Sequence, residues 1–490
     1  MNPTIVLSVI GIYFLILILI SQLTSKNANT STFFTADKQS PWYLVAFGMI
    51  GASLSGVTFI SVPGWVADSK FSYMQMVLGN LVGYAVIGLV LMPMYYRLNL
   101  VSIYTYLEQR FGFWSYKTGA FFFLLSRTIG ASFRLFLVAG VLQIALFDAW
   151  NIPFAVTVAI TILLIWLYTF RGGIKTIVWT DTLQTLFILA AVAISIWLIK
   201  DRLDLSTGAL INTIEQSEYS QMFFWDLKDG KNFFKQFLAG AFISIVMMGL
   251  DQDMMQKHLT CRNLKDAQKN IFWFSVVFAF VNLLFLGLGA MLYIYAEQSG
   301  IAIPANSDDL YPVLALNNFS TFAGIIFLLG IIAAAYSSAD SALTALTTSF
   351  CVDFLNFDHK DGKAPRSETS KKKIRQKVHI GFSLLIFLII LVFKAVNDQS
   401  VISAIFKVAG YTYGPLLGLY AFGLFFKGKV VDKYTPYVCV AAPVISVILD
   451  ANSAAWFSGF SFGFFILIVN GFLTLLGLWL ISSFSNNAKV

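Results

Sequence analysis

Apolar stretches about twenty residues long recur along nearly the whole chain, and no other feature narrows the possible folds so far. IVLSVIGIYFLILILI near the N-terminus and IFWFSVVFAFVNLLFLGLGAMLYIYA at 271–296 are two of them. A helix needs roughly 20 apolar residues to cross the hydrocarbon of a bilayer. On that length about thirteen candidate spans are read at 3–22, 41–67, 73–97, 116–147, 153–170, 176–200, 234–257, 269–296, 319–355, 378–395, 401–425, 434–449 and 456–483. Only 12% of the residues are charged, half the share expected of a soluble domain. Long helical periods with little strict alternation argue against a β-barrel. The first stretch has neither a basic leader nor an A-x-A cleavage site, so it is read as a spanning helix rather than a signal peptide.

The net charge is +8, and its placement separates a membrane protein from a nucleic-acid binder. Basic clusters at Lys257–Lys269, Lys360–Lys377 and Lys427–Lys433 fall between spans on one side, the positive-inside pattern of a chain with its N-terminus outside and its C-terminus inside. No basic–aromatic motif for nucleic acid accompanies them, so the expected surroundings are the lipid bilayer. Cys261, Cys351 and Cys439 stand singly and His258, His359 and His379 form no ligand pair, which excludes a disulfide framework or a cysteine–histidine metal centre. With no visible nucleophile or metal cluster, an enzyme is not expected.

Two spans are interrupted. The second contains GASLSG at 51–56 and then Pro63–Gly64; the seventh contains MMGLDQD at 247–253. Breaks at matching positions of two five-helix halves point to an inverted-repeat transporter, because unwound backbone at membrane depth is tolerated where it lines a cavity or binds an ion. The expected organisation is an extra N-terminal helix and linker (1–40), a first repeat (41–200), a connecting loop or lid carrying Phe223–Trp225 (201–233), a second repeat (234–425) and two further helices (426–490). Simple close packing through Gly and Ser is the competing account of the breaks.

The ninth span ends in AAAYSSADSALTALTTSF, 333–350. Ala334, Ser337, Ser338 and Ser341 share one helical face, with Asp340 at its edge. Hydroxyls, carbonyls and a carboxylate are hard ligands suited to a small cation. Hydroxyls alone would serve equally well as interhelical glue, but a carboxylate within a span is by default a candidate functional group. A second such acid, Asp181, lies in RGGIKTIVWTDTLQ (171–184), about two turns past the Gly172–Gly173 turn and too deep for a helix cap.

GGIKTIVWTDTLQ resembles the GG…WTD-x-x-Q stretch of the sodium:solute symporter family, whose members include LeuT-type sodium/galactose, sodium/proline and sodium/sialic acid symporters. YTYLEQRFG (104–112), DQDMMQK (251–257), AAAYSSADS (333–341) and GPLLGLYAFGLFFK (414–427) extend the resemblance in the same order. It implies an all-α polytopic membrane protein with a LeuT-type 5+5 inverted repeat, N-out and C-in, that couples solute import to sodium by alternating access and works as a monomer in a plasma membrane, such as a bacterial inner membrane. By resemblance, the principal sodium ion is held by Gly51, Leu54, Ala334, Ser337 and Ser338. Some members hold a second ion, which matches Asp181, Ser337, Asp340 and Ser341; Asp340 is a serine in the sialic acid members.

For the solute, the resemblance points to Ser53, Ser55, Thr58, Asn80 and Ser244. Met247 stands where galactose members carry a gating tyrosine, and Val57 and Phe278 replace their acid and lysine. The carboxylate-binding arginine of the sialic acid members falls on Gly130, yet Arg127 and Arg134 flank it, and Lys407 lies within the eleventh span. Cations within a span call for anions. Either they receive an anionic, carboxylate-bearing solute, or they pair with Asp251, Asp253 or Glu108 or reach an interface. Sodium coupling of a small polar solute is thus the expectation, with one sodium ion or two. Proton coupling through Asp181 and Asp340, or a neutral sugar, polyol or amino acid, are the competing readings.

Overall fold

The computed structural model describes residues 3–24, 38–98, 102–169, 174–357, 368–396 and 400–487. The Gly172–Gly173 turn and residues 358–367 of the basic 356–377 connection lie outside them. Apart from one isolated bridge between Ser40 and Cys261, the described regular structure is helical. The main helices are α1 (Pro3–Thr24), α2 (Trp42–Ser53), α3 (Gly56–Gly64), α4 (Tyr73–Val86), α5 (Phe113–Leu142), α6 (Phe154–Thr169), α7 (Ile174–Arg202) and α8 (Phe233–Ser244). They continue with α9 (Gln252–Leu259), α10 (Leu264–Gln298), α11 (Thr321–Ser349), α12 (Glu368–Val396), α13 (Val401–Thr412), α14 (Gly414–Phe425), α15 (Thr435–Trp456) and α16 (Ile466–Asn487). Among the described residues, 8 helical segments are long and apolar enough to cross a bilayer, which makes this a multi-pass membrane protein.

Both expected interruptions are present. α2 and α3 meet at a bend of 51°, and α8, prolonged by a π turn to Gly249, meets α9 at 70°. Three boundaries differ from the sequence reading. The 401–425 stretch is not one span but two helices parted at Tyr413, because Pro415 lacks the N–H that would continue α13 and instead starts α14. Asn470 of α16 closes that gap, donating to the carbonyls of Gly410 (3.0 Å) and Tyr411 (2.8 Å). α15 runs on to Trp456, and α16 begins only at Ile466.

The bundle packs around α11, which touches α7, α5, α12, α2 and α3 and is buried along most of its length. Lipid tails are as apolar as leucine, so helix association here depends on close contact rather than on burial from water. α4 and α8 illustrate it. A Cβ on Gly79 would lie 1.9 Å from the Phe237 carbonyl oxygen, and one on Gly240 would lie 2.0 Å from that of Met76. Gly79 and Gly83 form a small-xxx-small stripe on α4, and their missing side chains bring Asn80 beside Ser244.

The connection between α10 and α11 folds against the far end of α3. A Cβ on Gly64 would stand 2.3 Å from the Ser307 carbonyl oxygen, and Asp308 Oδ2 accepts from the Val401 N–H at 2.9 Å. Phe223 and Trp225 of the expected lid are exposed and stack on one another outside the bundle.

Gly79→Ala or Gly240→Ala forces two backbones apart and should cost about 1–3 kcal/mol. Gly140→Ala meets nothing within 4 Å and should be neutral or stabilising. Thermal unfolding of the purified chain in detergent distinguishes them: the first two lower the midpoint and the third does not.

Candidate functional site

The first break sets two helix ends against each other. α2 stops at Ser53; Leu54 leaves helical geometry (φ −77°, ψ 59°) and Ser55 is extended (φ −60°, ψ 172°). The Leu54 N–H still bonds to the Ile50 carbonyl at 2.8 Å, but the later carbonyls of α2 have no following turn. No side chain caps the N-terminus of α3. The break therefore presents a partly negative carbonyl end and a partly positive N–H end within a few residues. α7 braces it: Thr185 Oγ1 lies 3.1 Å from the Phe47 carbonyl of α2 while also bonding the Asp181 carbonyl of its own helix at 2.7 Å, and a Cβ on Gly51 would stand 2.1 Å from that hydroxyl.

The hydroxyls expected to face this break belong to α11, which packs on both α2 and α3. Ser338 Oγ donates within its own helix, 3.1 and 3.3 Å from the carbonyls of Ala335 and Ala334. Ser337 Oγ donates to Asp181 Oδ1 at 2.6 Å. A hydroxyl that donates keeps lone pairs for a cation, so both remain usable ligands. With the carbonyls of Gly51, Leu54 and Ala334 they make up the neutral oxygen set that the family resemblance assigns to the principal sodium ion.

The second break is built differently. The Tyr95 hydroxyl donates to the Gly249 carbonyl (2.8 Å) and that of Tyr104 to the Leu250 carbonyl (3.0 Å). Asp251 caps α9 by accepting from the N–H groups of Asp253 (3.0 Å) and Met254 (3.2 Å). Arg127 then binds both acids, 3.5 Å from Asp251 Oδ2 and 2.6 Å from Asp253 Oδ2. The protein's own phenols, carboxylates and guanidinium fill this break, which leaves the first as the one with groups to spare. Arg127 takes the pairing that the sequence offered as its structural alternative.

Lys257 is a residue that the sequence reading misplaced. The charge pattern puts it in a basic cluster between spans, yet only 2% of it is exposed, and Nζ lies 3.0 Å from Asp181 Oδ2. Asp340 lies near enough to act on the same ammonium. DQDMMQK ends on Lys257, and its helical position under two turns from a buried acid cap is the available signal. Only the fold shows that α9 points back into the bundle.

A cavity of about 110 Å³ opens beside the first break and collects most of the expected solute residues: Ser53, Ser55, Thr58, Asn80, Ser244, Met247 and Arg134. Asn80 and Ser244 are already joined across α4 and α8, the amide nitrogen 2.8 Å from the serine oxygen. Arg134 makes no hydrogen bond or ion pair with any described side chain, and its Nε is buried without a partner. Ser53 Oγ is likewise buried and unpartnered. Lys407 is exposed and does not line the cavity; Ile402, Ile405 and Phe406 of the same helix do. Tyr73, Tyr84, Met76, Met248 and Met254 also line it; the sequence assigns them no role, because apolar residues in a span carry no distinguishing pattern.

Residues 33–431 match the description "Sodium:solute symporter family". The chain is 24% identical to the sodium/sialic acid symporter NanT of Aliivibrio fischeri, covering 95% of this chain and 90% of that one. It is 23% identical to the sodium/sialic acid symporter SiaT of Proteus mirabilis over 85% and 83% of the two chains, and 24% identical to sodium-coupled monocarboxylate transporter 1 of Xenopus laevis over 84% and 64%. Among solved structures, a Na⁺-coupled sialic acid symporter in a substrate-bound outward-open state shares the fold at a TM-score of 0.81, with 22% identity and 98% of each chain covered. A nucleobase-cation-symport-1 family transporter in an inward-facing conformation gives a TM-score of 0.55 at 15% identity, covering 94% of each chain.

The two arginines of α5 should behave in opposite ways. Arg127→Gln strands Asp251 and Asp253 in the bundle and should destabilise by about 3–5 kcal/mol. Arg134→Gln breaks no pair and should leave the unfolding midpoint unchanged or higher. Thermal unfolding without added solute checks both.

Proposed function

The chain belongs to the sodium:solute symporter family, and from that premise we propose that it imports a small carboxylate with a largely apolar body, driven by sodium. The observation that carries this reading is Arg134, a guanidinium with no partner among the described residues, lining the cavity beside an uncapped helix N-terminus. A carboxylate supplies both needs at once, accepting from the guanidinium and from the first N–H groups of α3. The relatives act on anions by name, the sialic acid symporters and the monocarboxylate transporter alike.

Cavity size and lining favour the smaller class. A cavity of about 110 Å³ suits a small solute better than a large one. Met76, Met247, Met248, Met254, Phe278 and Phe406 make up much of the rest of the lining. Such a wall offers few partners for the hydroxyls of a sugar or polyol, and flexible methionines adapt to an aliphatic or aromatic body.

The coupling follows from where the two ligands sit. Sodium binds the carbonyls of Gly51, Leu54 and Ala334 and the hydroxyls of Ser337 and Ser338, while the carboxylate binds the opposite side of the same break. Each ion fixes the hinge that the other needs. At a membrane potential of −100 mV each inward sodium ion contributes about 2.3 kcal/mol before its concentration gradient is added.

Proteoliposomes with an imposed sodium gradient, at fixed pH and potential, test the proposal with short aliphatic and aromatic monocarboxylates and their neutral amides. Carboxylates should accumulate and amides should not; uptake indifferent to sodium, or selective for polyols, would overturn it. Arg134→Gln should lower the apparent affinity for the carboxylate about 30-fold or more, the equivalent of about 2 kcal/mol for a charge-assisted pair. Ser338→Ala should raise the sodium concentration for half-maximal uptake by about tenfold while leaving the protein folded.

A further inference from the structure

The cluster around Asp181 contains everything a second cation site requires and already contains a cation. Asp181 projects from α7 against α2, with its Cβ 3.3 Å from where a Cβ on Gly48 would stand. Asp181 Oδ1 accepts from Ser337 at 2.6 Å and Oδ2 faces the Lys257 ammonium at 3.0 Å. Asp340 acts on the same ammonium, and Ser341 Oγ, fully enclosed, has no hydrogen-bond partner. Asp181, Asp340, Ser337 and Ser341 are the oxygen donors that the family resemblance would assign to a second sodium ion. All are buried within the bundle.

We propose that Lys257 is a built-in substitute for that ion, so that the chain binds one sodium ion per transport cycle, at the first break only. This rests on the sodium-coupled reading above and settles its stoichiometry. The physical reason is exclusion. Two unit charges 4 Å apart at an effective dielectric of about 20 repel strongly enough to weaken binding of the second on the order of a thousandfold. A sodium ion seated on Asp181 would meet the lysine at about that distance or less. The ammonium also differs from sodium in being tethered. It comes from α9, the segment beyond the second break, so its pairing fastens α9 to α7 and α11 in this state rather than exchanging with either solution.

The arrangement explains a feature that a sodium site does not. Two carboxylates, Asp181 and Asp340, share a cluster where the sialic acid relatives of the resemblance carry one acid and a serine. One acid and one sodium ion balance; two acids and one permanent ammonium leave a single negative charge beside the first break, which favours the driving ion there. Asp253, the other carboxylate close enough to act on Lys257, is itself bound by Arg127.

Equilibrium binding of ²²Na⁺ to the purified full chain in detergent tests this without knowledge of the solute. The wild type should bind one ion per chain and Lys257→Arg one. Lys257→Met should bind two, the added ion being lost again in Lys257→Met combined with Asp181→Asn. Two ions per wild-type chain would overturn the proposal whatever the variants do. So would a folded Lys257→Met, with its first site intact, that still binds one. If Lys257→Met does not fold, the wild-type and Lys257→Arg stoichiometries decide the question alone. No sodium binding by the wild type would instead remove the sodium-coupled reading itself, an outcome separate from a count of two.

Discussion

A peptide group that leaves a helix inside a bilayer must find a partner within the protein, since the hydrocarbon supplies none. This one constraint separates the two breaks. At the second, the hydroxyls of Tyr95 and Tyr104 take the carbonyls of Gly249 and Leu250, and the Asp251 side chain takes the exposed N–H groups of α9. At the first, no side chain caps α3 and no phenol reaches the last carbonyls of α2 among the described residues. Pseudo-symmetric breaks thus have unequal chemistry. One is closed by the protein's own side chains; the other keeps uncapped backbone groups that the proposed ligands would take.

The buried charges divide along the same line. Arg127 and Lys257 each hold acids on or near α9, and both pairs are almost wholly enclosed. Pairs of this kind add little net stability compared with apolar packing, but removing one partner is costly, so they specify how α9 sits against α5 and α7. Arg134, two turns along the same face of α5, has no such duty. Two cations seven residues apart on one helix therefore divide into a structural clamp and a group with unspent bonding capacity.

Much of the fold was legible because the bilayer makes backbone satisfaction and apolar length dominant, and both are written locally. The break at GASLSG and that at MMGLDQD could be read as Gly and polar residues where a continuous span should be. The 401–425 break was not read, since Tyr413–Gly414–Pro415 looks like the ordinary glycine and proline content of membrane helices until Asn470 is seen closing it. Among the site residues, those near the first break were accessible through motifs. Lys257 and Lys407 were placed on the wrong sides of the distinction between buried and exposed, because a cation near a span end can snorkel outward or turn inward with the same local sequence. Which of these occurs depends on a partner from a distant element, here Asp181, 76 residues away in sequence.

Symport needs the two ligands to alter each other's affinity, and the geometry of the first break gives that coupling a physical source. The end of α2 and the start of α3 are opposite poles separated by Leu54 and Ser55, whose backbone angles fix the 51° bend. A cation held by the carbonyl pole and by α11 restrains α2; an anion held by the N–H pole and by Arg134 restrains α3 against α5. Each restraint removes part of the conformational freedom of the two-residue hinge, so whichever ligand binds second finds less ordering left to impose. Linkage then requires the effect to be mutual, solute strengthening sodium as much as sodium strengthens solute. A joint closed by its own tyrosines could not do this, so on the proposed reading the coupling rests on the first break.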